Sequence, residues 1–522
     1  MLLHIPALVP DVGLAISLVV VLTTFIVVHR LWFSSYAHIP GPRLCKITSL
    51  WMVYFDVRLQ RTAKVRKWHE KYGPIVLIAP GEVSFSEPST KREIYGPTSR
   101  HPKSSWFNAF VAYGERSTFC SIGYEEHRER RNHSFAFFQA ASIHSPHVVG
   151  PIRERTVTLL DQIGQGVDEN SGAATFDLLQ LSNRYAFDNI TRLLYGPGHC
   201  THTVEKPCQE RDMIDDLKYC EAAQPWLLNF SPAYYLFKFV AYLIYRNPNF
   251  LNGEHSIGDW NSRRAADKIN DPSPEDSQYT LLGKLQACKT KRGEPLSADW
   301  INAELLDDLY AAQMTVTVTL TYICWNLARN PQWQERIRNE IASLPVQEDG
   351  FPSLDDINKA PILQACVKES YRLNPSSSGR AERIAPVGKE YDGVFIPKGT
   401  TVSTSTVAIQ RTRSVFPEPD VYNPNRWLEA DAEQLRVMET FYMPFGYGAR
   451  VCLGRNFANV EVKLAVAFLL SRYRISEDPT SVTNGRSMEQ LGGIDYGGRG
   501  TAYMTCACAS ACSGAKLDPD SD

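Results

Sequence analysis

Several features that would place this chain in a narrow class are absent from its 522 residues. There is no strong charge imbalance, because 55 Lys and Arg are balanced by 57 Asp and Glu, and no basic block favours nucleic acid as a partner. No internal repeat or long low-complexity stretch is present, which argues against solenoid and disordered proteins. The 12 cysteines are mostly scattered singly, unlike those of a secreted disulfide framework. With 43% hydrophobic residues, the chain has ample material for a large core.

Long apolar runs are also scarce, and the exception lies at the N-terminus. Val12 to Val28 is a run of 17 residues without a charge; as a helix it would span roughly 25 Å of a hydrocarbon core about 30 Å thick. The basic pair His29-Arg30 follows this run, whereas a signal peptide carries its basic residues first. We therefore predict an uncleaved single-pass anchor with the rest of the chain in the cytosol. A cleaved leader and a buried core helix are the alternatives.

The remaining chain gives a mainly helical pattern with a smaller β-rich part. Apolar residues at helical spacing predict helices over 185–194, 301–328, 362–373 and 453–473. The segment 394–402 instead predicts two strands around a Pro-Gly turn. The Ile-Pro-Gly-Pro sequence at 39–42 predicts a stiff, non-helical hinge after the anchor.

The most informative segment is 445–454, which reads Phe-Gly-Tyr-Gly-Ala-Arg-Val-Cys-Leu-Gly. Glycines such as Gly446 let the backbone turn tightly and approach a flat ligand closely. Cys452 stands where a helix is predicted to begin, and the free amides of a helix start favour a thiolate. Arg450 adds a fixed cation suited to a carboxylate. A buried cysteine that acts only as a small hydrophobic residue is the alternative.

This segment matches every specified position of F-G-x-G-x-R-x-C-x-G, the haem-binding signature of the cytochrome P450 family. The chain resembles the microsomal type of that family over residues 36–505. Its sequence pattern is similar to that of filamentous-fungal enzymes of secondary metabolism. The resemblance implies a cytochrome P450 fold preceded by one N-terminal transmembrane helix. It implies haem b as cofactor and Cys452 as the iron ligand, with Arg450, Phe445 and Gly446 in the cofactor-binding loop.

A second motif of the family is E-x-x-R, present as Glu369 and Arg372. Residues three apart on a helix share a face, so these two side chains can pair. The resemblance adds Arg426 as the third member of a structural triad that holds the cysteine loop. An exposed salt bridge of little energetic value is the alternative.

Three further basic residues resemble ligands of the haem propionates in the family. His127 and Arg131 match the motif of an early helix, and Arg383 matches a later arginine. The segment 125–131 is highly charged throughout, so a surface position for His127 is the alternative.

The predicted helix 301–328 resembles the helix that crosses the haem in this family. Counting back 16 residues from Pro331 reaches Thr315, the position of the oxygen-activating threonine. The usual acid beside it is replaced by Met314, which has no proton to give. Thr315 with water and the Gln313 amide could suffice, Asp308 two turns earlier could serve, or the reaction could need no relay. Thr315 could also merely bond back to its helix.

The resemblance implies a monooxygenase that takes electrons from NADPH–cytochrome P450 reductase at the endoplasmic reticulum and oxidises an apolar small molecule in natural-product biosynthesis. The reductase would dock near Arg128 and Arg130, and membrane lipid is the other expected partner. Two alternatives remain, a reductant-free enzyme of this fold and a haem protein without turnover.

The chain is predicted to have three parts, an anchor (1–34), a haem-thiolate catalytic domain (35–505) and a flexible tail (506–522). Substrate contacts are expected from Trp106, Phe107, Phe110, Tyr310, Ala311 and 376–379.

Overall fold

The computed structural model describes residues 9–169, 171–246, 249–271, 279–377, 380–477 and 503–508. Helices dominate it. Those of the N-terminal half are α1 (Val9–Val28), α2 (Arg43–Ile47), α3 (Leu50–Val57), α4 (Arg61–Tyr72), α5 (Pro88–Tyr95), α6 (Tyr124–Phe135), α7 (Ala140–Ile143), α8 (Pro146–Gln165), α9 (Leu178–Tyr195), α10 (Gln209–Asn229), α11 (Ser231–Tyr245) and α12 (Asn249–Asn270).

The C-terminal half continues with α13 (Leu281–Gln286), α14 (Ala298–Ala328), α15 (Pro331–Ala342), α16 (Leu354–Asn358), α17 (Pro361–Leu373), α18 (Thr406–Ile409), α19 (Asn425–Leu428), α20 (Ala432–Phe441) and α21 (Arg455–Arg472). A π-helix, His29–Phe33, follows α1, and 3-10 turns occupy Ser105–Phe110 and Gly448–Arg450.

The strands form three small sheets. They are β1 (Ile75–Ala79), β2 (Glu82–Phe85), β3 (Ala173–Asp177), β4 (Arg383–Ile384), β5 (Lys389–Tyr391), β6 (Val394–Ile396), β7 (Thr401–Thr404), β8 (Tyr473–Glu477) and β9 (Tyr503–Cys508). One sheet has the order β1-β2-β7-β4, another β3-β9-β8, and β5 pairs with β6. Strand β2 runs parallel to β7, with Val83 opposite Val402, so the early chain is joined to residues far along the sequence.

The C-terminal strand extends past the predicted domain boundary at residue 505. Strand β9 pairs antiparallel with both β3 and β8, and Cys508 lies opposite Tyr473. The fold therefore includes residues up to 508, while 509–522 of the predicted tail lie outside the described residues.

Helix α14 is the central element. Its 31 residues would extend for roughly 46 Å. The Ser297 side chain accepts from the Trp300 amide and caps the start, and the helix ends just before Asn330-Pro331, as its sequence predicts. The helix packs most extensively on α9, then on α21 and α17. This arrangement places the helix that carries Thr315 beside the helix that follows Cys452.

The N-terminal helix stands apart from the core. Residues Gly13–Phe33 have a mean hydropathy of 2.2 and none of that stretch is buried in the protein. By length and composition this stretch can cross a membrane. Together with the helical body and its small sheets, it matches the fold class predicted from the sequence.

Candidate active site

The loop before Cys452 is shaped by two glycines with left-handed backbone conformations. Gly446 has φ +74° and Gly448 has φ +73°. A Cβ at Gly448 would lie 1.8 Å from the Tyr95 carbonyl oxygen, so only glycine fits there. The loop closes where the Cys452 amide donates to the Phe445 carbonyl at 2.9 Å. The Phe445 ring packs edge-on against Tyr371 at a centroid distance of 5.1 Å, which fixes the loop against α17.

The Cys452 thiol lies in a concave recess. The side chain is solvent-exposed, yet enough protein surrounds it that desolvation raises the pKa of the thiol. The Gly454 amide, Arg131 and Arg455 act in the opposite direction and favour the thiolate. Helix α21 begins at Arg455, three residues after the thiol, so the predicted position near a helix start is observed.

Arg450 joins this loop to the start of α6. Its guanidinium donates to the carbonyls of Ser121 (2.7 Å), Ile122 (3.0 Å) and Gly123 (2.8 Å). Desolvation, together with Arg383 and Arg131, lowers the pKa of Arg450 to about 9, while Glu126 opposes the change. The cation is therefore held in place by neutral carbonyls beside other cations.

The predicted basic residues converge around His127, which is 4% exposed in the first turn of α6. Desolvation and four cations, Arg450, Lys103, Arg131 and Arg383, lower the pKa of His127 to about 2. The surface position considered for His127 is therefore wrong, and its imidazole is neutral. A cluster of cations that depress one another's protonation is suited to receive carboxylates. The haem propionates fit this donor set.

Lys103 is the member of this cluster that the sequence analysis misses. Its backbone forms an isolated bridge with Arg383, whose guanidinium bonds the Glu382 carbonyl at 2.8 Å. Its ammonium donates to the Phe119 carbonyl and lies 4.4 Å from the centroid of the Phe119 ring. Desolvation, then Arg383 and Arg450, lower the pKa of Lys103 well below its usual value. No local motif marks this lysine, because the partner that identifies it is 280 residues away.

The predicted triad is assembled around Glu369. Glu369 and Arg372 are both fully buried and pair at 2.8 Å, and Arg426 Nε donates to the same carboxylate at 2.9 Å. The carboxylate also accepts from the Trp427 indole at 2.9 Å and the Asn423 amide at 3.1 Å. The alternative of an exposed salt bridge is wrong, because two cations and two neutral donors converge on one buried acid.

Thr315 occupies a partly accessible face of α14. Its hydroxyl donates to the Ala311 carbonyl at 2.6 Å, as expected if Thr315 bonds back to its own helix. The lone pairs of the hydroxyl oxygen remain available to accept a hydrogen bond. Ala311 is exposed although it lies mid-helix, so this face borders a recess. Gln313 is only 2% exposed and donates to Asn183 on α9. The idea that Gln313 steadies water at Thr315 is therefore wrong.

Three carboxyl groups of α14 lie closer to its start. Glu304 accepts from the Thr118 amide at 2.9 Å and Asp307 from the Phe119 amide at 3.3 Å, so both hold the preceding loop. Asp308 differs, because its Oδ2 is buried without a hydrogen-bond partner. Desolvation, then Glu304 and Asp307, raise the pKa of Asp308 well above its usual value. Asp308 also raises the pKa of Cys452, so it lies within electrostatic reach of the thiol.

Some of the residues predicted to contact the substrate lie together in the structure. Trp106 packs on both Phe107 and Phe110 at 4.9 Å between centroids, and Phe107 is buried. Tyr310 is half-buried one residue before Ala311, and residues 378–379 lie outside the described residues.

The predicted docking surface for the reductase is only partly exposed. Arg128 is exposed, but Arg130 is buried and pairs with Glu115 at 2.6 Å, which removes it from that surface.

The chain is similar to known proteins over most of its length. The sequence profile named Cytochrome P450 matches residues 40–492. The chain is 37% identical over 483 residues to cytochrome P450 monooxygenase FGM1 of Gibberella zeae, covering 92% of this chain and 93% of that protein. It is 28% identical to N-acetyltryptophan 6-hydroxylase ivoC of Emericella nidulans, covering 90% and 91%. Retinoic acid bound cyanobacterial CYP120A1 is similar in structure, with a TM-score of 0.66 at 19% identity, covering 85% and 93%.

Proposed function

Because the chain belongs to the cytochrome P450 family of haem-dependent monooxygenases, we propose that it oxidises an apolar small molecule in natural-product biosynthesis with electrons from an NADPH-dependent flavoprotein reductase. One atom of O2 enters a C–H bond of the substrate. The other leaves as water with two electrons from NADPH and two protons. The relatives from filamentous fungi, such as the N-acetyltryptophan 6-hydroxylase, favour a role in secondary metabolism.

The observation that supports this proposal is the exposed Cys452 thiol within electrostatic reach of Arg131, which belongs to the group of cations around His127. Cys452 would ligate the iron through its sulfur, and Phe445 and Gly446 would shape the loop that carries this ligand. Thiolate-ligated haem, when bound, supplies the iron that activates O2. The propionates would be held by Arg450, His127, Arg131, Arg383 and Lys103.

Proton delivery is assigned to two residues of α14. Thr315 and Asp308 lie seven residues apart, about two turns and roughly 10 Å along one helix face. The Thr315 hydroxyl would order water, and the Asp308 carboxyl, whose pKa is raised by desolvation and by Glu304 and Asp307, would hold a proton at Oδ2 more readily than an ordinary aspartate. This arrangement replaces the acid that Met314 cannot supply.

The membrane assignment rests on α1. An uncleaved helix would anchor the chain in the endoplasmic reticulum membrane, with the catalytic body on the cytosolic side. The exposed Arg128 would contribute to the reductase surface.

The experiment is expression in membranes that contain the reductase, with NADPH, O2 and product measured together. We expect a ferrous–CO band at the long-wavelength position of thiolate-ligated haem, and reduced-cofactor use coupled to product. Cys452→Ala should remove the band, and Cys288→Ala, at a half-buried cysteine elsewhere, should keep it. Turnover without NADPH would favour the reductant-free enzyme, which Met314 makes a specific alternative. A band with no turnover of any multicyclic apolar substrate would favour a non-catalytic haem protein.

A further inference from the structure

The loop at 196–208, between α9 and α10, brings a cysteine, a histidine and a glutamate together at the surface. The Cys200 Sγ lies 3.8 Å from His202 Nε2, and His202 Nδ1 lies 2.9 Å from Glu205 Oε1. A thiol, an imidazole that contacts it and a carboxylate that orients the imidazole are the three parts of an activated cysteine. None of the three residues takes part in the haem site.

One buried carboxylate fixes this loop. Asp188 on α9 is 1% exposed and accepts from the hydroxyls of Thr201 (2.7 Å) and Thr203 (2.9 Å). It also accepts from the backbone amides of Thr203 (2.8 Å) and Val204 (3.0 Å). The cysteine, histidine and glutamate between and beside these residues stay half-buried or exposed. The fold therefore holds the three side chains in a set arrangement and leaves them accessible.

Arg155 on α8 completes the arrangement. Its guanidinium donates to Glu205 Oε2 at 2.5 Å and to His202 Nδ1 at 3.0 Å. When Nδ1 carries its proton toward Glu205, Nε2 presents a lone pair that can take the thiol proton. When Nδ1 accepts from Arg155, Nε2 carries the proton and can donate to a thiolate. In both tautomers Nε2 is the atom that faces the Cys200 sulfur and handles its proton.

A groove opens beside the thiol. The Cys200 thiol donates to the Pro197 carbonyl at 3.2 Å, and Pro197 lines a groove of about 520 Å³ that is open to solvent. The groove lies between α8, α9 and the residues just before α13. It is also lined by His147 and Tyr279, whose rings stack at 3.7 Å between centroids. A molecule that reacts at Cys200 can therefore extend into this groove.

Two polar groups of the groove lack an acceptor. Arg192 is half-buried, and in the part of the chain that the structure describes its guanidinium makes no ion pair or hydrogen bond. Asn189 is 4% exposed, and its Nδ2 has no hydrogen-bond partner of ordinary geometry among the described residues. A guanidinium and a buried amide donor are both suited to carboxylate oxygens. The groove is therefore matched to an anionic ligand.

We propose that Cys200 is a modification site that exchanges with small disulfides bearing carboxylates, and that the groove at Arg192 receives those carboxylates. His202 Nε2 takes the thiol proton, and the Cys200 sulfur attacks one sulfur of the disulfide. The S–S bond of the small molecule breaks, a new S–S bond to Cys200 forms, and the departing sulfur leaves with that proton as a thiol. Cys200 is oxidised and the departing half is reduced, so no further oxidant is required. This site goes beyond the proposed oxygenase activity and does not depend on it.

The test uses the haem-loaded full chain in phosphatidylcholine vesicles. Oxidised glutathione is the anionic probe, and cystamine, a disulfide with amines and no carboxylate, is the comparison. Peptide mass mapping over time gives the modification rate of Cys200 and of the control Cys208, which is also half-buried but whose thiol has a pKa raised by desolvation. The variants are His202→Gln and Arg192→Gln, with Arg263→Gln as the control at an exposed arginine of α12. Retention of the ferrous–CO band shows that each variant is folded.

We expect Cys200 to react with oxidised glutathione at least about ten-fold faster than Cys208, and His202→Gln to remove most of that advantage. Arg192→Gln should slow the reaction with oxidised glutathione by about three-fold or more and leave the reaction with cystamine unchanged, whereas Arg263→Gln should alter neither. A Cys200 rate no higher than that of Cys208, or one that His202→Gln leaves unchanged, would overturn the reactive thiol. An equal effect of Arg192→Gln on both probes, or no effect on either, would overturn the role of the groove.

Discussion

Replacing Glu369 by alanine should prevent the protein from accumulating in a haem-loaded form. The substitution leaves the Arg372 guanidinium, which is fully buried, without its counter-charge, and such a loss is typically about 3–5 kcal/mol. The Trp427 indole and the Asn423 amide lose an acceptor as well, at about 1–3 kcal/mol each. Arg372 keeps the carbonyls of Gln410 and Pro419, so the lower ends of these ranges apply. A sum of about 5 kcal/mol is comparable with the whole stability of many proteins, about 5–15 kcal/mol.

The assay compares Glu369→Ala with Glu433→Ala, because Glu433 pairs with Arg436 at the same three-residue spacing but on the surface. Haem content per protein and the thermal midpoint are measured for both variants. We expect the surface variant to behave as the parent and the buried variant to be depleted in haem. Glu369→Gln, which keeps the shape but removes the charge, should fall between them. A haem-replete Glu369→Ala protein that melts with the surface variant would refute the role of the buried carboxylate.

Three further predictions concern polar side chains of α14 and α21. Thr315→Ala should keep the ferrous–CO band but lower product formed per NADPH and release hydrogen peroxide; unchanged coupling would make Thr315 only a helix residue. Asp308→Asn should uncouple the enzyme as well, by about 10²–10⁴-fold in the proton-dependent step, and Asp308→Glu should restore part of the coupling. Glu461 is fully buried and neither carboxyl oxygen has a hydrogen bond of ordinary geometry. Burial raises the pKa of Glu461 well above 4.5, so above that pH the unfolded chain releases a proton that the folded chain keeps. Glu461→Gln should therefore gain stability over the parent by about 1.4 kcal/mol per pH unit between 4.5 and the raised pKa of Glu461 in the folded chain, and a pH-independent difference would contradict this.

The helices and the family were predictable because their signals are local. Helix α17 at Pro361–Leu373 and helix α21 at Arg455–Arg472 begin and end within two residues of the predicted bounds, since proline starts the first and a glycine-rich loop precedes the second. The family, the enzyme class and haem as cofactor are confirmed through the short segment around Cys452 and the profile match. Strand β9 was not predictable, because its pairing with β3 joins residues more than 320 positions apart.

The residues of the site divide in the same way, into those that a local sequence signal predicts and those that only the fold identifies. Glu369 and Arg372 share one helix, so their pairing follows from spacing, whereas Lys103, one of the four cations around His127, is identified only by neighbours that the fold brings from 383 and 450. The inward direction of Gln313 is likewise set by Asn183 on α9, because a helix interior does not reveal from sequence which neighbour each face will meet. The Asp308 Oδ2 is left without a hydrogen-bond partner while the loop amides of Thr118 and Phe119 donate to its acidic neighbours, Glu304 and Asp307.

Tyr95 links the cysteine loop to the cations on the other side of the recess. Its carbonyl lies against the Cα of Gly448, its hydroxyl donates to the Ala381 carbonyl and accepts from the Thr404 amide, both at 2.8 Å, and its ring lies 5.1 Å from the Arg383 guanidinium. Tyr95 thus spans from the cysteine loop, through its backbone carbonyl, to Arg383, through its ring. A flat cofactor has a fixed width, so the cysteine loop and Arg383 must stand a fixed distance apart. A substitution at Gly448 should therefore displace the cysteine loop and, through Tyr95, Arg383 as well.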